Sequence, residues 1–265
     1  MRRWALLLEY DGAGYVGWQL QDNGVSLQGL LEAAASRLNG GVSVPSVVAG
    51  RTDAGVHASG QVAMIALPDR YEADKVRDAV NFHLKPHPLV VLQAAPAPPG
   101  WNPRFSAVGR MYGYVILNRR ARPGLERRVW HVPHELDAAA MAEGASNLLG
   151  RHDFTSFRAA ACQAKSPLRT LDRLEVRRQG DLVLIRAEAR SFLHHQVRNM
   201  VGTLKLVGEG RWAPAQVGEA LAARDRSAAG PTAPPDGLTL LAVRYGQDPF
   251  TPAGADRTPA PACLR

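Results

Sequence analysis

The chain has 265 residues, 46% hydrophobic and 21% charged, which excludes wholesale disorder and suffices for one large core or two small ones. Its 32 basic against 24 acidic side chains leave a net charge of +8 and a pI near 10.0, favouring nucleic acid as partner, although a solvated arginine-rich surface gives the same totals. No apolar run approaches the roughly 20 residues that span a bilayer, and Met1 to Leu8 meets Glu9 too early for a secretory signal, so a cytoplasmic protein without membrane association is expected.

In chain order, Trp4 to Tyr10 reads as a buried strand. Leu27, Leu30, Leu31, Ala34 and Leu38 then recur at helical spacing behind Ser26, a good N-cap. Val44 to Ala49 and Gln61 to Leu67 read as strands around a loop, Glu72 to Leu84 as a helix, and Leu89 to Ala95 as a further strand. The run from Pro96 to Gly100 breaks the periodicity and marks a domain boundary. Beyond it, Arg110 to Leu117 suits a strand, and Asp137 caps a helix running to Leu149 and ending at Gly150. Leu174 to Arg178 and Leu182 to Ala189 flank Gln179-Gly180-Asp181, a hairpin signal. Leu193 to Leu204 and Pro214 to Arg224 read as helices and Leu238 to Tyr245 as the last strand.

This pattern predicts an α+β protein with mainly antiparallel sheets and helices on one face. Its parts are an N-terminal subdomain over 1–100, a C-terminal subdomain over 101–246, and a Pro/Ala/Gly-rich tail over 247–265 that reads as disordered.

Several signatures point nowhere. Gly12-Ala13-Gly14-Tyr15-Val16-Gly17 has the GxGxxG form after a strand. Residues 18–24 then intervene before any helix, and Asn23-Gly24 is itself a turn, so no dinucleotide cofactor is expected. Cys162 and Cys263 fit neither a disulfide framework nor a metal pattern; Cys162 as a nucleophile is weaker than an incidental thiol. His131-Val132-Pro133-His134 lacks zinc-site companions, and His194-His195 reads as a helix-start pair, so no metal is expected.

Gly50-Arg51-Thr52-Asp53-Ala54-Gly55-Val56-His57 is different. An Asp in such a loop is ordinarily a turn device. Here Arg51 can bring a guanidinium to the carboxylate or to a phosphate, and Gly50 and Gly55 let backbone approach a ligand. The segment resembles the catalytic segment of the TruA family of tRNA pseudouridine synthases. Further matches follow in the family's order along about 230 residues: Glu9-Tyr10-Asp11-Gly12 with Gly17-Trp18-Gln19, Arg104-Phe105-Ser106-Ala107, Arg110-Met111-Tyr112-Gly113-Tyr114, 153–158, 191–202 and Gly237-Leu238. Two places depart from the family. Asn81-Phe82-His83-Leu84-Lys85-Pro86 stands for Asn-x-x-Leu-Pro, and Trp101-Asn102-Pro103 replaces Phe-His-Ala before Arg104, where substrate contacts could differ.

The resemblance implies two ferredoxin-like or RRM-like subdomains with the active-site cleft between them. It implies a cofactor-independent homodimer that isomerises uridine to pseudouridine at nucleotides 38, 39 and 40 of the tRNA anticodon arm. Asp53 would be the essential nucleophile, at base C6 or sugar C1′, or a base that takes the 2′ proton. Arg198 would pair with it, and Tyr112 would stack on the uracil and handle the C5 proton. Arg51 would help fill the place of the extruded base. Arg104 and Arg110 would bind substrate, within a cluster of seven arginines against one acid from Arg104 to Arg128. The rival reading is a non-catalytic RNA-binding module or RNA chaperone, which would need more aromatic platforms than 6% aromatics and no RNP-like run provide.

Overall fold

A computed structural model describes residues 1–250. The elements are β1 (Arg2–Tyr10), α1 (Leu27–Leu38), β2 (Val47–Val48), β3 (His57–Leu67), α2 (Ala73–Leu84), β4 (Leu89–Pro96), β5 (Ala107–Leu117), β6 (Trp130–His131), α3 (Ala138–Ser146), β7 (Gly150–Asp153), β8 (Leu168–Gln179), β9 (Leu182–Ala189), α4 (Gln196–Gly208), α5 (Ala215–Ala223) and β10 (Leu238–Tyr245), with three short 3-10 turns. The class is α+β. Contacts divide the chain into two compact units, one of Met1–Val108 with the chain from Leu240 onward, the other Gly109–Thr239. The first break thus falls at the start of β5 rather than in the Pro-rich run, and most of the last strand belongs with the N-terminal unit.

In the first unit the strands lie in the order β4-β1-β3-β10, with β2 on β3. The pairs β1/β3, β1/β4 and β2/β3 are antiparallel. With the order β1-α1-β2-β3-α2-β4 this is a ferredoxin-like arrangement. Helices α1 and α2 pack on each other, α1 on β3 and α2 on β4, so both cover one sheet face. Strand alternation sends Trp4, Leu6 and Leu8 of β1 and Ala63, Ile65 and Leu67 of β3 into a common buried layer. Ser26 caps α1 as its sequence predicts, its Oγ accepting from the Gly29 amide at 3.1 Å.

The expected strand from Val44 to Ala49 shrinks to two residues. Pro45 brings no amide hydrogen to a ladder, and Glu32 on α1 takes the Ser46 amide and hydroxyl at 2.7 and 2.8 Å instead. Residues 247–250, assigned to the tail by composition, are placed against this unit. Phe250 is buried, and its carbonyl accepts from Gln93 Nε2 at 3.0 Å. The rest of the predicted disordered tail, 251–265, lies outside the described residues.

In the second unit the order is β5-β9-β8-β7, antiparallel in each pair, while the two-residue β6 runs parallel to β5. Helix α3 packs on β8, α4 and α5. It ends at Ser146, earlier than its periodicity suggests. Gly150, with φ of 95°, instead opens β7, which the sequence pattern did not distinguish from the helix end. The β8/β9 hairpin turns at Gly180, also at positive φ, where the sequence places it. Among the described residues no helix is long and apolar enough to cross a membrane.

Candidate active site

Asp53 sits between β2 and β3 in a loop whose shape is set by residues far away in sequence. The Thr52 hydroxyl meets the Tyr10 hydroxyl at 2.8 Å, and the Thr52 carbonyl accepts from the Trp18 amide at 3.0 Å. Gln61, fully buried on β3, donates from Nε2 to the Gly50 carbonyl at 2.7 Å and to the Tyr10 hydroxyl at 3.3 Å, while its Oε1 accepts from the Val62 amide at 3.1 Å. The Asp53 carbonyl closes the turn by accepting from the Val56 amide at 3.1 Å. Positive φ at Gly55 (77°) lets the chain reverse into β3. Asp53 is partly exposed and Arg51 exposed, whereas Thr52 between them is buried, so alternation puts the two charged side chains on the open side.

The GxGxxG segment acquires a physical role here. A Cβ on Gly12 would collide with the Val56 carbonyl oxygen, and one on Gly17 would lie 2.8 Å from the Thr52 carbonyl oxygen and 3.0 Å from the Ala54 nitrogen. Neither glycine opens a helix. Both let the backbone at 12–17 lie directly against the Asp53 loop. Where the loop enters β3, buried His57 Nδ1 faces the Gly12 amide at 3.1 Å and Asp11 Oδ1 at 2.9 Å. The first contact needs an unprotonated Nδ1 and the second a protonated one, so they are alternatives of one ring.

Arg104, also in the first unit, is exposed in a turn over 102–106 that buries Pro103, its Cζ 5.7 Å from the Phe105 ring centroid. Tyr112, Arg110 and Arg198 belong to the second unit. Tyr112 lies on β5 opposite Ala187 of β9, its ring edge-on to Phe192 with centroids 5.2 Å apart. Arg110 Nη1 donates to the Arg190 carbonyl at 2.5 Å.

Arg198, in the first turn of α4, is tied to the 230–234 segment. Its Nε donates to the Ala233 carbonyl at 2.8 Å and its own carbonyl accepts from the Ala233 amide at 3.1 Å. The neighbouring Asn199 holds that segment from beneath, with Oδ1 accepting from Thr232 Oγ1 at 2.7 Å and Arg226 Nη2 at 3.2 Å. The Tyr114 hydroxyl donates to the Pro234 carbonyl at 2.8 Å. Burial drives the Tyr114 phenol far above the usual tyrosine value, against the pull of the Arg198 charge, which lowers it, and with a push from Asp236.

Of the arginine cluster, Arg120, Arg122, Arg127 and Arg128 are exposed on the loop between β5 and β6, and Arg119 pairs with Asp181 at 3.4 Å. A cavity of about 690 Å³ is lined by Asn118, Arg119, Arg120, Pro133, His134, Glu135, Arg178 and Asp181, so it takes in Arg119 and Arg120 of the arginine cluster but none of Arg51, Asp53, Arg104, Arg110, Tyr112 and Arg198.

Sequence reasoning missed Tyr10, Thr52 and Gln61 as shapers of the loop. For Gln61 a signal exists: it shares strand parity with Ala63, Ile65 and Leu67, and a polar side chain on an inward position demands buried partners.

A tRNA pseudouridine synthase family profile matches residues 145–246. Proteins named tRNA pseudouridine synthase A are similar along nearly the whole chain. That of Acidiphilium cryptum is 72% identical over 252 residues, covering 94% of this chain and 99% of its own. That of Gluconobacter oxydans is 58% identical over 94% of this chain and 92% of its own. That of Rhodospirillum centenum is 61% identical over 92% of this chain and 100% of its own. Identity of this extent over full-length relatives leaves one assignment: the chain belongs to the tRNA pseudouridine synthase A family.

Proposed function

We propose that this protein isomerises uridine to pseudouridine in tRNA, at nucleotides 38, 39 and 40 of the anticodon arm, with Asp53 as its essential carboxylate. The reaction and substrate rest on family membership. The observation that supports Asp53 is the seating of its loop, pinned through Thr52 and Gly50 by buried Tyr10 and Gln61. A carboxylate that must meet one reacting atom needs such a fixed backbone.

The chemistry breaks the C1′–N1 bond, turns the uracil and forms C1′–C5, with loss of the C5 proton, gain of a proton at the freed N1 and no net redox change. Asp53 acts as nucleophile or as base through its carboxylate, and Arg198 is the cation assigned to pair with it. The bond from Arg198 Nε to Ala233 supports this role by fixing the plane of the guanidinium. Tyr112, braced by Phe192, stacks on the uracil and handles the C5 proton. A target uridine in a stem must leave the helix, at a cost of a few kcal/mol, and Arg51 helps fill its place. Arg104, Arg110 and the exposed arginines of the β5–β6 loop bind the RNA backbone. The working form is a cytoplasmic homodimer.

The test is release of tritium from uracil C5 of labelled tRNA. Wild type releases it and Asp53→Asn does not; equal turnover by both would remove Asp53 from the mechanism. Arg198→Ala retains tRNA binding while turnover collapses. A parallel loss of binding and turnover would make Arg198 an RNA contact. Light scattering should give twice the 28.6 kDa chain mass, and a monomer in active preparations would refute the dimer.

A further inference from the structure

The turn over 102–106 in the first unit is built more rigidly than its surface position requires. Asn102 Oδ1 accepts from the Arg104 amide at 2.9 Å and the Phe105 amide at 3.2 Å. Ser106 closes the turn from the other side, its Oγ accepting from the Asn102 amide at 3.0 Å and its amide donating to the Asn102 carbonyl at 2.9 Å. Beneath the turn, buried Trp101 packs on Tyr245 with ring centroids 5.0 Å apart, and the Tyr245 hydroxyl donates to the Pro103 carbonyl at 2.8 Å.

What this frame presents is a large apolar ring to water. Phe105 is 76% exposed, more than any other aromatic among the described large hydrophobics, and the Arg104 guanidinium lies 5.7 Å from its centroid. A flexible loop could fold such a ring away, but the Asn102 and Ser106 bonds hold the backbone on both sides of it. A preorganised aromatic face beside a fixed cation is the pairing that unpaired nucleobases stack on, with the guanidinium reaching the adjoining phosphate.

We infer that Phe105, positioned by Asn102 and flanked by Arg104, is a stacking platform for an unpaired nucleobase of the tRNA. The inference rests on the tRNA reading above and adds to it a contact to a base outside the paired stem. Stacking is sequence-tolerant, since every base has a π face, so the platform contributes affinity and register while leaving the sequence unread.

The experiment is equilibrium tRNA binding by fluorescence anisotropy across a salt series, with wild type, Phe105→Ala, Phe105→Leu, Phe105→Tyr and Arg104→Ala. Loss of one base stack weakens binding about 5- to 150-fold for Phe105→Ala and for Phe105→Leu, whereas Phe105→Tyr stays near wild type. The salt slope is unchanged in all three, because a stack releases no counterions, while Arg104→Ala lowers it by roughly 0.7 to 0.9. A fully paired RNA duplex binds wild type and Phe105→Ala alike.

Wild-type affinity in Phe105→Ala overturns the platform, as does full rescue by Phe105→Leu, which would mean a plain apolar contact. A change in oligomeric mass on Phe105→Ala also overturns it, because the ring would then be a subunit contact. Failure of wild type itself to bind tRNA would instead sink the functional reading.

Discussion

Replacing Gln61 by Leu tests whether the buried polar chain holds the Asp53 loop for catalysis. The two side chains have similar volume, so the substitution leaves little cavity and chiefly removes hydrogen-bonding atoms. It strips the donor from the Gly50 carbonyl and from the Tyr10 hydroxyl, and the acceptor from the Val62 amide. Each buried polar atom left unsatisfied costs about 1–3 kcal/mol. The Tyr10 hydroxyl keeps Thr52, and the apolar Leu gains from its burial, so a net loss of about 2 kcal/mol is expected. That corresponds to a Tm lower by roughly 4–8 °C for a chain of this size. The loop backbone at Gly50 is then free to shift, and a displacement of about 1 Å at the carboxylate is worth up to about 10²-fold in rate. In the tritium-release assay kcat should fall at least about tenfold with KM within about threefold, because Arg104, Arg110 and the β5–β6 loop arginines, which bind the RNA backbone, are untouched. Tyr10→Phe, which loses only the hydroxyl, should show the same split at smaller size. A Gln61→Leu protein that is less stable yet retains wild-type kcat would refute the argument, since the network would then serve only the fold.

Other consequences can be checked as directly. Gly12→Ala, whose Cβ would meet the Val56 carbonyl, should abolish isomerisation and destabilise by more than about 2 kcal/mol in urea unfolding. Gly14→Ala has open space and meets only the strain of φ near 81°, so it should cost about 1 kcal/mol and leave turnover intact. Tyr114 binds its proton more tightly folded than unfolded, so the stability it confers is complete below the ordinary value of 10.0 and declines as pH rises above it. Wild type should therefore lose about 1.4 kcal/mol more per pH unit than Tyr114→Phe above that point, measured by denaturant unfolding. Converting Arg120, Arg122, Arg127 and Arg128 to Ala should lower the slope of log affinity for tRNA against log salt by roughly 0.7 to 0.9 for each phosphate that is no longer neutralised, and an unchanged slope would exclude that loop from the RNA.

The sequence by itself determined what depends on near neighbours. Apolar spacing and caps placed α1 behind Ser26 and α3 behind Asp137, an apolar run placed β1, alternation placed β5, and the Gln179-Gly180-Asp181 signal placed the β8/β9 hairpin, because each signal acts within a few residues. Asp53 stood out by its motif and by the family pattern around it. The tertiary structure decided what holds that residue still. The contacts of Tyr10 with Thr52, Gly12 with His57 and Gln61 with Tyr10 join positions 42, 45 and 51 residues apart, and no local periodicity encodes them. The same distance limit explains the shortened β2, where Glu32 captures Ser46 across 14 residues. It also explains why GxGxxG resembled a cofactor loop: a glycine kept small to admit another stretch of backbone reads, in sequence, like one kept small to admit a phosphate.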